Sequence, residues 1–222
     1  MTVPRVKVCC IGSVEEARLA IEHGASALGL VSAMPSGPGV IGEDLIAEIA
    51  ASVPPPVATF LLTSSTDAEK IAAQAKRCQV NTLQLVDSVE TTTYTYLRAD
   101  LPTIKLVQVI HVESEANVEE AVRVGPHVDA LLLDSGRPTA ALPELGGTGR
   151  THDWSLSRRI VETVDVPVFL AGGLSAANVA EAIRAVRPFG VDLCSGVRTA
   201  DRLDAEKLAS FFVSVAKAAL AG

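Results

Sequence analysis

Residues 166–197 read VPVFLAGGLSAANVAEAIRAVRPFGVDLCSGV. A short aliphatic run at 166–170 meets the glycine pair Gly172-Gly173. A segment with helical spacing, 176–186, comes next, and a second aliphatic run, 191–194, ends at Ser195-Gly196. Strand, helix and strand in that order make a βαβ unit, whose crossover helix brings the chain back so that the two strands run parallel. The same unit repeats outward along the chain. Aliphatic runs recur at 6–11, 27–31, 57–62, 82–85, 104–110 and 130–133. Between and after them lie Ala/Glu/Arg-rich segments at 14–23, 43–51, 66–77, 115–124, 155–163 and 205–220. The stretch 90–99 is the weakest helix of the series, because Thr91-Thr92-Thr93-Tyr94 is poor helix material.

Eight such units favour a closed (β/α)8 barrel, a TIM barrel with a parallel eight-stranded sheet. These barrels typically take about 250 residues, so a chain of 222 implies a compact one without added domains. An open doubly wound sheet would carry a glycine fingerprint after its first strand, and Cys10-Ile11-Gly12-Ser13 is not one. No linker-like segment interrupts the pattern, so residues 1–222 are expected to form a single barrel domain.

Composition narrows the function. Hydrophobic residues make up 48% of the chain and charged ones 20%, enough apolar material for a large core and too much for disorder. The net charge of −7 argues against a nucleic-acid partner, though backbone N–H groups can still hold a small phosphorylated ligand. No apolar run nears the roughly 20 residues of a membrane span, and the N-terminus has no signal-peptide pattern. The four cysteines, Cys9, Cys10, Cys78 and Cys194, form no CxxC or His/Cys cluster. Free thiols, a cytoplasmic location and no metal are expected. Aromatics at 4% give little support to base stacking or carbohydrate platforms.

Barrels of this class place chemistry at the C-terminal ends of their strands. That rule selects Cys9, residues 36–40, His111, Asp134, Gly172-Gly173 and Ser195-Gly196. Glycines let backbone approach a ligand closely, and the loops after strands 7 and 8 are the usual phosphate site. Gly172-Gly173 opening a helix would add that helix's N-terminal N–H groups, whereas a merely tight turn would use the same glycines. Asp134 ends the apolar run Ala130-Leu131-Leu132-Leu133, where it either exchanges a proton in a desolvated mouth or caps a turn. Strand alternation puts Lys7 and Cys9 on one face and Val6, Val8 and Cys10 on the other. Lys7 suits a helix-packed face poorly, so the Lys7/Cys9 side points into the barrel. Cys9 there is either a buried inert thiol or a base or nucleophile. Gly146-Gly147-Thr148-Gly149-Arg150-Thr151 suggests a ligand-covering loop and lacks the pattern of a P-loop.

Together these segments resemble the phosphoribosylanthranilate isomerase family of tryptophan biosynthesis. Lys7-Val8-Cys9-Cys10-Ile11 is similar to its K-x-C-G-I start, and Gly24–Val31 to its G-A-D-A-x-G-F-V segment. Leu132-Leu133-Asp134-Ser135, residues 146–155, Leu170-Ala171-Gly172-Gly173-Leu174 and residues 178–197 match closely. The resemblance implies an Amadori rearrangement of a phosphorylated aminoribose to a 1-amino-2-ketose, run by general acid and base without cofactor or metal. It puts the base on Cys9, the acid on Asp134 and the phosphate on the backbone of Gly172, Gly173, Ser195 and Gly196. Lys7, His111, Gly147, Arg150 and Asp192 would line the rest of the substrate. The expected partner is that small sugar phosphate, with the protein a monomer or homodimer and no nucleic acid or membrane involved.

The chain departs from the family at the anthranilate end. Where the family has Ser-x-Arg-x-(Ile/Val), with its Arg on the anthranilate carboxylate, this chain reads Ser36-Gly37-Pro38-Gly39-Val40. Val86 stands in place of a usual His, Gln108 in place of a usual Lys or Arg, and Cys10 in place of a Gly. Losing a guanidinium from a carboxylate site removes its best partner. A divergent isomerase that uses Arg150 or His111 instead is one expectation. A paralogous sugar-phosphate isomerase, whose substrate lacks that carboxylate, is another. A non-catalytic phosphate binder is a third, and it would need neither Cys9 nor Asp134.

Overall fold

The computed structural model describes residues 3–135 and 153–220. Eight parallel strands close into a barrel: β1 (Arg5–Val8), β2 (Ala27–Val31), β3 (Ala58–Thr63), β4 (Thr82–Leu85), β5 (Lys105–His111), β6 (Ala130–Asp134), β7 (Val168–Leu170) and β8 (Gly190–Leu193). Closure comes from β1 pairing with both β2 and β8, and the second pairing sets Lys7 opposite Asp192. Helices α1 (Val14–Glu22), α2 (Glu43–Ser52), α3 (Ala68–Cys78), α4 (Thr91–Asp100), α5 (Glu115–Val124), α6 (Trp154–Thr163), α7 (Val179–Val186) and α8 (Ala205–Leu220) follow the strands in turn.

Two apolar layers hold this arrangement. The larger lies between strands and helices and includes Val8, Leu28, Leu61, Leu83, Leu106, Leu131 and Val191 with Ile46, Ile71, Ile183 and Phe211. The smaller fills the barrel with Ala27, Phe60, Val107, Val109, Leu132 and Phe169. Strands buried on both faces read as unbroken aliphatic runs, which is why they stand out in the sequence.

Helix starts are set locally. Ser13 accepts the Glu16 N–H, Asp67 accepts from Glu69 and Lys70, and Ser114 with Asn117 forms a capping box. Helix α4 forms despite its threonines because it buries Thr93, Tyr94 and Leu97. The Tyr94 hydroxyl also donates to Gln108 Oε1 on β5, at 2.8 Å. Packing outweighs propensity there.

The structure corrects the sequence reading at two points. Helix α7 begins at Val179 with Asn178 before it, so Gly172-Gly173 lies in a separate loop rather than at that helix N-terminus. Strand β1 ends at Val8, and Cys10 adopts a left-handed φ of 62°. Alternation therefore holds through Cys9 and fails at Cys10, which joins Cys9 inside the barrel instead of facing the helices.

Candidate active site

The strand ends surround an open cavity. Cys9 and Cys10 enter it from the end of β1, Gln84 from β4, Asp134 from β6, Gly172 and Gly173 from the loop after β7, and Ser195 from beyond β8.

Cys9 is held by its backbone N–H, which donates to the Leu193 carbonyl at 2.8 Å. Its neighbour on β2 is Gly29. A Cβ at that position would lie 2.6 Å from Cys9 Sγ and 3.0 Å from Lys7 Nζ, so glycine there leaves room for thiol and ammonium side by side. Lys7 is fully buried. Its Nζ lies 2.9 Å from Asp192 Oδ1 and 5.3 Å from the centre of the Phe60 ring. Burial works against the ammonium, but the Asp192 carboxylate more than offsets it and Lys7 keeps its proton. A fixed positive charge thus sits beside Cys9.

Asp134 ends β6 with 8% exposure, and its Oδ1 accepts the Ser135 N–H at 2.8 Å. Burial raises its pKa, and the Ser135 N–H, His111 and Lys7 only partly oppose that. A carboxyl kept protonated toward higher pH is suited to donating a proton. His111 pairs with Asp134 in the sheet register, and its Nε2 lies 3.2 Å from the Val86 carbonyl.

The glycine loops meet at one corner. Gly172 and Gly173 have φ of 87° and 62°. A Cβ at Gly172 would come 2.7 Å from Ser135 Oγ, and one at Gly196 2.1 Å from the Leu174 carbonyl oxygen. The loops after β6, β7 and β8 therefore touch only because these positions lack side chains. Asn178 ties the corner by accepting the Ser175 N–H and donating to the Gly173 carbonyl.

Three features escaped the sequence reading. Gln84 is 3% exposed on the cavity wall, and its Oε1 has no partner among the described residues. Its signal was a polar residue at the inward phase of Thr82-Leu83-Gln84-Leu85. Arg198 donates from Nη2 to the carbonyls of Cys9 and Cys10, at 3.3 and 2.5 Å, and both its Nη groups bond Glu16. No local pattern links residues 9, 16 and 198. Cys194 places its Sγ 2.6 Å from that of Cys10. Gln108, by contrast, is absorbed by Tyr94 and by the carbonyls of Leu85, Asp87 and Val109, and does not reach the cavity. Among the described residues no Lys or Arg lines the cavity, and Ser36, Gly37 and Pro38 form its wall after β2. Gly147 and Arg150 lie outside the described residues.

Comparison with known proteins bears on this arrangement. Residues 6–214 match the family model described as N-(5'phosphoribosyl)anthranilate (PRA) isomerase. A relative from Methanosarcina mazei, N-(5'-phosphoribosyl)anthranilate isomerase 2, is 37% identical over 96% of this chain and 94% of its own length. One of the same name, without the numeral, from Halorubrum lacusprofundi is 35% identical over 96% and 97%. The phosphoribosyl anthranilate isomerase of Thermus thermophilus superposes with a TM-score of 0.82 at 28% identity, covering 96% of this chain and 98% of that one. Another such isomerase, solved with reduced 1-(o-carboxyphenylamino)-1-deoxyribulose 5-phosphate, gives 0.78 at 28% identity over 96% and 99%. With a closed eightfold barrel and a match over nearly its whole length, this chain belongs to the phosphoribosylanthranilate isomerase family.

Proposed function

We propose that Asp134 and Cys9 act as the acid and base of the phosphoribosylanthranilate isomerase reaction in this protein. The supporting observation is the placement of a buried carboxyl with a raised pKa on β6 and a thiol beside a fixed ammonium on β1, both facing one cavity. Asp134 donates its proton to the furanose ring oxygen. The C1–O bond breaks as the nitrogen lone pair forms the iminium. Cys9, as thiolate, removes the C2 proton, and the electrons of that bond neutralise the iminium to give an enolamine. Protonation at C1 and loss of the enol proton complete the 1-amino-2-ketose. The step needs an acid and a base held on different sides of one sugar, and β1 and β6 stand well apart around the barrel.

The substrate phosphate is assigned to the backbone of Gly172, Gly173, Ser195 and Gly196, where loops without side chains converge. Asp192 keeps Lys7 charged, and Gln84 Oε1 is an acceptor free for a sugar hydroxyl. His111 tunes Asp134. Family membership favours the anthranilate substrate over a paralogous sugar phosphate, and over silent binding. Arg150 remains the proposed partner of the carboxylate. Cys9→Ser and Asp134→Asn are each expected to lower kcat by about 10²–10⁴-fold with little change in Tm. Steady-state turnover of phosphoribosylanthranilate checks this, and wild-type kcat in either variant would overturn that residue's role.

A further inference from the structure

Cys10 occupies a left-handed backbone position, which L residues other than Asn and Asp seldom take. That turn aims its side chain across the mouth at Cys194, and the two sulfurs lie 2.6 Å apart, inside van der Waals contact. Both ends of the pair are pinned. Arg198 holds the Cys10 carbonyl, while Cys194 directly follows β8, hydrogen-bonded in register beside β1. Cys10 is 6% exposed, whereas Cys194 is only partly buried, on the wall of the open cavity. The two thiols also differ chemically. Hydrogen bonds to Cys194 and Cys9, together with burial, hold the proton on Cys10. The bond from Cys10, helped by the Arg198 guanidinium, pulls the Cys194 pKa down despite burial. An accessible, acidified thiol beside a second one is the arrangement of a peroxide-sensitive pair.

We propose that Cys10 and Cys194 form a reversible disulfide on exposure to a small peroxide, and that this cross-link slows the reaction run at the adjacent Cys9. The Cys194 thiolate attacks one peroxide oxygen. The O–O bond breaks, an S–O bond forms and hydroxide leaves. The Cys10 sulfur then attacks the sulfenic sulfur of Cys194, forming the S–S bond and expelling the hydroxyl group, which departs as water with the Cys10 proton. The sum is two thiols and one hydrogen peroxide giving one disulfide and two waters, with two electrons passing from sulfur to oxygen. The cross-link fixes Cys10, the chain neighbour of Cys9, to Cys194, the chain neighbour of the Leu193 carbonyl that holds the Cys9 N–H, and so restricts how the base can move toward substrate. The bond-forming part stands apart from the catalytic assignment. The loss of rate rests on Cys9 being the base.

Reduced protein treated with one equivalent of hydrogen peroxide should fall from four free thiols to two, Cys9 and Cys78. Peptide mapping, with fragmentation between Cys9 and Cys10, should find the Cys10–Cys194 link. The kcat/KM for phosphoribosylanthranilate should drop about tenfold, the scale of a slightly misplaced base, and return with dithiothreitol. Cys10→Gly and Cys194→Ser should each lack the link and show equal rates before and after treatment. A Cys9–Cys10 or Cys9–Cys194 link, or four surviving thiols, would overturn the proposal. A Cys10–Cys194 link with undiminished rate would overturn its regulatory half. Reduced protein that cross-links but never turns over would support the link and overturn the catalytic assignment instead.

Discussion

Asp134 shows how one residue's role follows from its surroundings. A carboxyl at the end of an apolar strand is desolvated, and desolvation favours the form that still has a proton to give. His111 works the other way, since its positive form stabilises the Asp134 anion. The sign of a substitution follows. An acid must be protonated to act, so turnover is lost as pH rises through the Asp134 pKa. Replacing His111 with Gln removes an influence that lowers this pKa. The falling limb of kcat/KM against pH is therefore expected to move to higher pH, and a full pH profile of the variant checks it. A limb that stays in place would overturn this influence of His111 on Asp134.

At the scale of elements, the site depends on loops that approach more closely than side chains allow. Gly196 is the extreme case, since its hypothetical Cβ lies 2.1 Å from the Leu174 carbonyl oxygen, a backbone atom with little freedom to move. Gly196→Ala must push apart the loops after β7 and β8. The expected result is a rise in KM for the phosphorylated substrate larger than the fall in kcat, with a loss of stability of about 1–3 kcal/mol. Steady-state kinetics together with denaturant unfolding separate these effects. A variant whose kcat falls while KM holds would place the phosphate elsewhere. Helix α4 carries the complementary lesson, because its threonine-rich start becomes helical only through burying Tyr94 and Leu97.

For the whole molecule, the decisive contact is the one that joins its two ends. Strand β1 begins the barrel and β8 completes it, and their buried faces meet through the Lys7–Asp192 ion pair. Asp192 lines the cavity, and Lys7 is fully buried beside it. Lys7→Met leaves Asp192 as an uncompensated buried carboxylate and is expected to cost about 3–5 kcal/mol. Lys7→Met combined with Asp192→Leu removes both charges and is expected to recover most of that stability while leaving catalysis impaired. Equilibrium unfolding of the wild type, the single variant and the double variant forms the test. Additive losses in the double variant would mean that the pair is not coupled.

The sequence by itself determined the architecture and the identity of the chemical groups. Strands buried on both faces need continuous aliphatic runs, and helices covering one face need a 3.6-residue period. These demands are local, so β2, β4, α5 and α8 are legible to the residue. The rule that chemistry sits at strand ends then reached Cys9, Asp134 and the glycine loops. What only the tertiary structure decided depends on contacts between distant positions. The left-handed turn at Cys10 breaks the strand alternation that had sent its side chain outward. The Arg198 clamp and the Cys10–Cys194 contact join residues more than 180 positions apart. Lys7 could be placed inside by its phase, but its charge persists only because barrel closure brings Asp192 within 2.9 Å. A linear pattern records which face a residue occupies. Whether a buried group is paired, protonated or left with a vacant acceptor depends on partners that closure alone supplies.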